Sequence, residues 1–217
     1  MRIMVVDDHQ MTRQGLCSLI RGSGTLNLVA EAENGRSAIH KVDRFRPDVV
    51  VMDLAMPDMN GIEATRLMRR DYPDIKILAL SMHKDREYVR QALAAGASGY
   101  VLKDCAFEEL VKALDTVNGG RRYLSPPVAD VVVDEYLHQP HVANDKIYTD
   151  LSAREREILQ LIAEGYPTRT IAEKLFVSVK TIETHRRNIQ LTLGINNIAE
   201  LTKYAVRAGL TSLEQGK

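Results

Sequence analysis

The first half of the chain alternates short apolar runs with segments in which apolar residues recur every three or four positions. Short apolar runs are typical of buried strands, and the periodic segments are typical of amphipathic helices. Five apolar runs precede residue 118, at residues 3–6, 28–30, 49–52, 75–80 and 100–102. A helical segment follows each run, so the pattern predicts an α/β domain with a parallel sheet and helices on both faces.

After residue 118 this alternation stops, and the sequence predicts no sixth strand–helix unit. Ser125 followed by two prolines is typical of a helix start, because serine caps the first turn and proline fits its first position. Apolar residues then recur up to His138, which predicts a helix over residues 126–138. The polar, proline-containing stretch over residues 139–146 is typical of a linker.

Residues 151–213 show helical spacing throughout and contain no apolar run of the strand type. The patterns together predict three parts. An α/β domain occupies residues 1–118, a linker with the helix over 126–138 occupies residues 119–150, and an all-α domain occupies residues 151–217.

Composition places few limits on function but excludes several classes of protein. The 217 residues are 45% hydrophobic, and 29 basic residues balance 29 acidic ones, so any nucleic-acid site must come from local patterning. No apolar run approaches the roughly 18–20 residues of a membrane span. Two acids interrupt the N-terminal apolar run, so we expect no secretory signal peptide. Two cysteines, Cys17 and Cys105, form neither a disulfide framework nor a metal site, so we expect a cytoplasmic protein without a membrane partner.

Polar side chains follow four of the five predicted strands, at the point where each strand ends. Asp7 and Asp8 follow the first strand, Asp53 the third, Ser81 the fourth and Lys103 the fifth. In a parallel sheet these positions meet at one edge, where three crowded carboxylates require a hard cation such as Mg²⁺. A lysine and a serine hydroxyl suit phosphoryl oxygens, so the set predicts an aspartate that accepts a phosphoryl group. Any one of these acids taken alone is more simply explained as solvated.

These residues stand in motifs that resemble the receiver domain of two-component response regulators. The likeness covers residues 1–118 and rests on Val5-Val-Asp-Asp8, on Met52-Asp-Leu-Ala-Met-Pro57 with Gly61, on Leu80-Ser81 and on Gly99-Tyr-Val-Leu-Lys103. The resemblance implies a flavodoxin-like (βα)5 fold with sheet order 2-1-3-4-5.

The same resemblance assigns roles to individual residues. It implies that Asp53 accepts a phosphoryl group from a histidine kinase. The ligands of Mg²⁺ would be Asp8, Asp53 and the carbonyl oxygen of Ala55, with Asp7 close by. Ser81 and Lys103 would bind the phosphoryl oxygens. Tyr100 matches an aromatic residue that swings inward when the serine moves to the phosphate; the alternative is an edge aromatic that packs on a helix.

The all-α domain contains the pattern of a helix-turn-helix. A capping box of Ser152 and Glu155 opens the first helix, which Gly165 ends. A short helix over residues 168–175, a tight turn capped by Ser178 and a longer helix up to Gly194 follow. Two helices joined by a tight turn, the second with a polar face, are typical of a helix-turn-helix that reads DNA. The alternative is a solvated helix in a small bundle.

The longer helix has two distinct faces. Four apolar residues are predicted to be buried, namely Val179, Ile182, Ile189 and Leu193. The opposite face carries the polar residues Lys180, Thr181, Glu183, Thr184, Arg186, Arg187 and Asn188, with His185 between the faces. Three cations against one acid give this helix a modest positive charge suited to DNA phosphates.

Residues 151–210 resemble the LuxR/FixJ-type DNA-binding domain. The matching segments include residues 151–159, 171–175, 177–185 and 193–194. The resemblance implies that Lys180, Thr181 and His185 contact phosphates and that Glu183, Thr184 and Arg187 reach base edges, with Asn188 also in the interface. Gln190 and Thr192 replace basic residues common in the family, so we expect weaker non-specific DNA binding. The last helix, about residues 198–208, is expected to form a dimer contact or to pack wholly on its own domain.

The order of the two domains resembles response regulators of the NarL/FixJ family over nearly the whole chain. It implies a transcription regulator that binds double-stranded promoter DNA as a homodimer, with a histidine kinase as partner and RNA polymerase as a further candidate. Ala55 replaces the second acid of aspartyl-phosphate phosphatases, so no enzymatic turnover is expected. DNA binding independent of phosphorylation, with the receiver as a protein-docking module, remains the alternative.

Overall fold

The computed structural model describes residues 1–138 and 151–211, which fall into two separate units. The first unit comprises Met1–His138, and the second lies within Gln139–Lys217. Residues 119–138 of the predicted linker region therefore belong to the first unit. The remaining linker residues, 139–150, lie outside the described residues, as do the last six residues of the predicted all-α domain.

The first unit is built on a parallel sheet whose strands follow the order 2-1-3-4-5-6. The strands are β1 Arg2–Val6, β2 Asn27–Ala32, β3 Val49–Asp53, β4 Lys76–Ser81, β5 Gly99–Leu102 and β6 Tyr123–Leu124. The predicted flavodoxin-like order of the first five strands is confirmed.

The sixth strand contradicts the prediction that the strand–helix pattern ends near Gly119. Tyr123 and Leu124 pair with Gly99 and Tyr100 of β5. Two residues are too few to produce a recognisable strand pattern, and this strand exists because the edge of β5 offers backbone partners. The helix that follows makes a sixth strand–helix unit of residues 123–138.

Helices cover both faces of the sheet. Their bounds are α1 Gln10–Gly22, α2 Gly35–Phe45, α3 Gly61–Asp71, α4 Arg86–Ala94, α5 Phe107–Asn118 and α6 Pro126–His138. Alternation along the strands divides the core, because successive side chains point to opposite faces. Ile3 and Val5 pack in one cluster with residues of α1 and α5, whereas Met4 and Val6 pack in another with residues of α2 and α3.

Helix α6 packs against α4, where fully buried Val128 joins the same apolar cluster as Tyr100 and Val89. Its start differs from the predicted side-chain cap. Ser125 Oγ is buried and makes no hydrogen bond within the described residues. The backbone carbonyl oxygen of Ser125 instead accepts from the N–H of Val128 at 2.9 Å, so the first turn is closed by backbone bonds.

The second unit contains four described helices: α7 Ala153–Ala163, α8 Thr168–Lys174, α9 Val179–Leu193 and α10 Ile198–Arg207. The capping box of Ser152 and Glu155 is confirmed, as is the cap of α9, where Ser178 accepts from the N–H of Thr181. Gly165 and Gly194 adopt φ angles of 86° and 67°, a conformation that ends helices and favours glycine.

The core of the second unit is apolar, and α9 contributes the buried residues Ile182 and Ile189 to it. The prediction that Val179 shares this buried face is wrong, because its side chain is 42% exposed. Val179 is the first residue of α9 and is not among the residues that pack in this core. None of the helices in the described ranges has the length and apolarity that crossing a membrane requires.

Candidate functional site

The polar residues at the strand ends meet at one edge of the sheet, where the ammonium group of Lys103 joins two of the predicted acids. Lys103 Nζ lies 2.7 Å from Asp53 Oδ2 and 2.8 Å from Asp7 Oδ2. The backbone N–H of Lys103 donates to the carbonyl oxygen of Ser81 at 2.8 Å, which fixes the residue beside β4. Four residues that are far apart in sequence therefore converge.

Asp53 is held by the tight passage from β3 to α3. Its side chain is almost fully buried, and its Oδ1 accepts from the backbone N–H of Ala55 at 3.2 Å. Gly61 donates its N–H to the carbonyl oxygen of Leu54 at 3.0 Å. A Cβ at Gly61 would lie only 1.9 Å from the carbonyl oxygen of Asp53, so glycine alone allows α3 to begin this close to the strand end.

The electrostatic surroundings shift the pKa values of both Asp53 and Lys103. Burial raises the pKa of Asp53 to about 6; the cation of Lys103 opposes this shift and the negative charge of Asp7 adds to it. Burial alone would lower the pKa of Lys103, but the charges and hydrogen bonds of Asp53 and Asp7 outweigh it and raise the pKa. Added positive charge near Asp53 would therefore favour its ionised, nucleophilic form.

The acids fit a hard divalent cation. Asp7, Asp8 and Asp53 place one carboxylate oxygen each, and His9 one ring nitrogen, within 4.8 Å of one another. Three carboxylates supply the oxygen ligands that Mg²⁺ prefers. His9, which the sequence analysis did not select, lies 3.0 Å from Asp8 through its Nδ1, and its ring is largely exposed. Its position directly after two acids is the sequence signal that could have indicated it.

Ser81 and Tyr100 meet at the backbone of His83. Ser81 Oγ accepts from the N–H of His83 at 3.1 Å, and the hydroxyl of Tyr100 donates to the carbonyl oxygen of His83 at 2.6 Å. Tyr100 is fully buried, and burial raises the pKa of its hydroxyl. The ring of His83 stacks on Tyr88 with centroids 4.6 Å apart. Tyr88 carried no recognisable signal in the sequence.

The exposed face of α9 presents most of the residues that were predicted to contact DNA. The exposed ones are Lys180, Glu183, Thr184, Arg187 and Asn188, whereas Thr181 and His185 are half-buried. The two threonine hydroxyls already have partners, because Thr181 Oγ1 lies 2.8 Å from Ser178 Oγ and Thr184 Oγ1 donates to the carbonyl oxygen of Lys180.

Leu191 adds an apolar residue to this exposed face that the sequence analysis missed. Its side chain is 71% exposed. The spacing from Lys180 through Thr184 and Arg187 to Leu191 is that of one helix face. The face therefore offers cationic, polar and apolar contacts along a single line.

Comparison with known protein families gives two matches that together span most of the chain. The model of the response regulator receiver domain matches residues 3–115. The model of bacterial regulatory proteins of the luxR family matches residues 149–205.

Individual relatives match over nearly their full length. Oxygen regulatory protein NreC of Staphylococcus haemolyticus (strain JCSC1435) is 39% identical over 214 residues, which cover 97% of this chain and 99% of the relative. RcsB of Salmonella enterica serovar Typhimurium, bound to promoter rprA in the presence of phosphomimetic BeF3-, is 28% identical with a TM-score of 0.57, covering 97% of this chain and 100% of that chain. A structure of two RcsB dimers bound to two parallel DNAs is 27% identical with a TM-score of 0.60, and the match covers 95% of this chain and 98% of that chain. The chain therefore belongs to the two-component response regulators of the NarL/FixJ family, which join a receiver domain to a LuxR-type DNA-binding domain.

Proposed function

We propose that this response regulator accepts a phosphoryl group on Asp53 from a histidine kinase and then binds promoter DNA as a dimer. The observation that carries the proposal is the contact of Lys103 Nζ with Asp53 and Asp7, both buried at the carboxyl edge of a parallel sheet. A buried carboxylate beside a fixed cation is suited to receive and keep a phosphoryl group.

In the proposed transfer, an oxygen of Asp53 attacks the phosphorus atom while the phosphorus–nitrogen bond of the donor phosphohistidine breaks. The donor ring takes up a proton from solvent on its other nitrogen and therefore leaves as neutral imidazole. The ammonium of Lys103 neutralises charge on the phosphoryl oxygens, and the hydroxyl of Ser81 donates a hydrogen bond to one of them. Mg²⁺, held by Asp8, Asp53 and the carbonyl oxygen of Ala55 with Asp7 beside them, would supply further positive charge.

The contacts around His83 give the phosphoryl group a route to the rest of the receiver. Ser81 bonds to the N–H of His83 and Tyr100 to its carbonyl oxygen, so a shift of Ser81 towards a phosphoryl group disturbs both bonds. Tyr100 packs in the same cluster as Val128 of α6. We propose that the phosphoryl group favours one of two arrangements of these side chains.

In the second domain, α9 is proposed to enter the major groove. Arg187 is exposed and suited to a bidentate contact with guanine, and Lys180 is suited to a phosphate. The promoter complex of RcsB supports this use of the domain. Glu183, Thr184, Asn188, Thr181 and His185 complete the proposed interface.

Dimerisation is supported by the RcsB dimers on DNA. Helix α10 begins with Ile198, whose side chain is 52% exposed. An apolar residue at this exposure is available for a partner. Two copies would then read half-sites one helical turn apart, about 34–36 Å. Regulators of this kind control transcription, and no enzymatic turnover is proposed.

The test compares DNA binding with and without BeF3- and Mg²⁺ on a fragment selected from random sequences. The wild type is expected to gain affinity with the mimic, whereas Asp53→Asn is expected to gain none. Asp58→Asn is the matched control, because Asp58 lies in the adjoining loop with a φ of 66°, which asparagine tolerates. Full gain by Asp53→Asn would contradict the proposal. Equal affinity of the wild type under both conditions would favour the docking-module alternative.

A further inference from the structure

A polar cavity lies at the edge of the receiver sheet opposite the Asp53 site, at the amino ends of three strands. Its volume is about 170 Å³. Lys76 begins β4, Gly96 precedes β5, and Arg121 and Arg122 precede β6. Arg69 reaches the same cavity from the last turns of α3. This edge carries none of the residues of the Asp53 site.

The cavity is lined by four cations and by no acidic residue among those described. Asp71 and Asp74 occur in the same α3–β4 segment as Arg69 and Lys76, but neither lines the cavity. The carboxylate of Asp71 is bonded to Arg70 at 2.7 and 2.9 Å. Positive charge at this edge is therefore not balanced by a lining carboxylate.

Two of the cations are held in place by neutral partners. Arg69 Nη1 donates to the carbonyl oxygen of Ile75 at 2.9 Å and also to that of Pro73. Arg122 Nη1 donates to the carbonyl oxygen of Ala97 at 3.1 Å. Carbonyl oxygens orient a guanidinium without cancelling its charge, and each guanidinium has further N–H donors. The groups are thus positioned before any ligand arrives.

Within the described residues, the side chains of Lys76 and Arg121 take part in no ion pair. Lys76 is half-buried, whereas Arg121 is exposed at the turn that precedes β6. Lysine and arginine can bury the stems of their side chains and keep the charged heads in water, so both heads can still pair with an anion. An anion in the cavity would supply the missing partner.

The backbone at Gly96 leaves room for this arrangement. Gly96 has a φ of 102°, a backbone angle that residues other than glycine rarely adopt. A Cβ at this position would lie 2.9 Å from Cγ of Arg69, so a larger residue would displace the arginine. Gly96 therefore allows Arg69 to lie against the loop and face the cavity.

We propose that this cavity binds a small soluble anion that carries one or two phosphate groups. Arginine forks and a lysine ammonium are the side chains that recognise phosphate oxygens most strongly. The volume falls below the roughly 300–1,000 Å³ of pockets for drug-sized ligands, so a phosphate or pyrophosphate group fits better than a whole nucleotide. This site is separate from the proposed phosphoryl transfer.

The test is a titration of the full ¹⁵N-labelled chain with pyrophosphate and with inorganic phosphate, followed by NMR in low salt with EDTA. EDTA removes divalent cations that would draw the probe to the acids around Asp53. We expect saturable shifts of the amides of Gly96, Ser98 and Gly120, with a dissociation constant in the millimolar range or tighter. Lys76→Gln/Arg121→Gln is expected to weaken binding by about tenfold or more.

The matched control is Arg21→Gln/Lys112→Gln, which removes one arginine and one lysine from exposed positions of the same unit. It is expected to bind the probe like the wild type. Arg121→Gln alone keeps the test valid if the double variant folds poorly, because this side chain is exposed. The proposal is overturned by an absence of saturable shifts, by shifts centred on Ser81, Lys103 or α9, or by unchanged affinity in the Lys76 and Arg121 variants.

Discussion

The hydroxyl of Tyr100 donates a 2.6 Å hydrogen bond to the carbonyl oxygen of His83, and this bond joins β5 to the segment that follows β4. The N–H of the same histidine donates to Ser81 Oγ. One backbone unit thus connects the serine beside the acids to the buried aromatic. We expect a displacement of Ser81 to reach Tyr100 through the backbone of His83.

Tyr100→Phe is expected to loosen this segment without a change in core volume. Loss of one buried hydrogen bond costs about 0.5–1.5 kcal/mol. Amide hydrogen exchange of residues 82–88 should therefore become about twofold to tenfold faster. Tyr72→Phe is the control, because Tyr72 is half-buried and has no hydrogen bond from its hydroxyl within the described residues. Equal exchange in both variants would show that the Tyr100 bond does not restrain the segment.

Gly61→Ala is expected to disrupt the Asp53 site and the stability of the receiver together. The added Cβ would meet the carbonyl oxygen of Asp53 at 1.9 Å and backbone atoms of residues 53 and 54 at 2.8 Å. Backbone atoms cannot rotate aside, so we expect a loss of about 3 kcal/mol or more, measured by chemical denaturation with phosphorylation assayed in parallel.

Gly15→Ala provides the opposite case. Gly15 lies within α1, and a Cβ there meets nothing within 4 Å. Alanine should stabilise the helix by about 0.5–1 kcal/mol. A Gly61→Ala protein with unchanged stability would mean that α3 can move away from the strand end.

Arg187 and Lys180 are expected to affect DNA binding in different ways. Arg187→Ala should cost about 1–3 kcal/mol at one base position and relax the preference there. Lys180→Ala should weaken binding to all sequences alike. It should also reduce the slope of log affinity against log salt concentration by about one. Binding to a panel of single-base variants across salt concentrations separates the two effects.

Arg207→Ala is the control for charge alone, because Arg207 is exposed on α10 rather than on α9. It should leave the base preference unchanged. A uniform loss in the Arg187 variant would assign this residue to a phosphate rather than to a base.

The two thiols are expected to react slowly with alkylating reagents. Burial raises the pKa of Cys17 to about 11, and the negative charge of Glu31 makes a smaller contribution. Burial also raises the pKa of Cys105 to about 11, with smaller contributions from the negative charges of Glu109 and Asp104. A thiol pKa that lies about two units above the ordinary value reduces the thiolate fraction at pH 8 by about 100-fold. The labelling rate, followed by mass spectrometry, should therefore keep rising with pH up to about 11.

The same shifts affect stability at alkaline pH. Both thiols contribute stability that is fully present below pH 9 and is lost as the pH rises through about 11, because the unfolded chain ionises first. Cys17→Ala and Cys105→Ala isolate the two sites, and a urea-unfolded sample gives the reference rate. Labelling as fast as in urea would contradict the burial of these thiols. Cys105 should label first, because Cys17 is only 1% exposed.

The sequence by itself determined the family, the first five strands and the order in which they pair. The strands and helices follow from local patterns, since short apolar runs and helical periodicity are written in neighbouring residues, whereas the pairing order was implied by the resemblance of the motifs to receiver domains. The caps at Ser152 and Ser178 are equally local, and both are confirmed. The motif around Asp53 was recognisable because each of its members directly follows an apolar run.

Only the tertiary structure decided which distant groups meet. The strand Tyr123–Leu124 is too short for a pattern and exists because β5 offers an open edge. Val179 has the apolarity of a core residue, but its place at a helix end leaves it exposed. The cationic cavity joins Arg69, Lys76 and Arg121 from separate segments, and no spacing in the sequence indicated it. Convergence of this kind depends on how whole elements pack, which neighbouring residues do not encode.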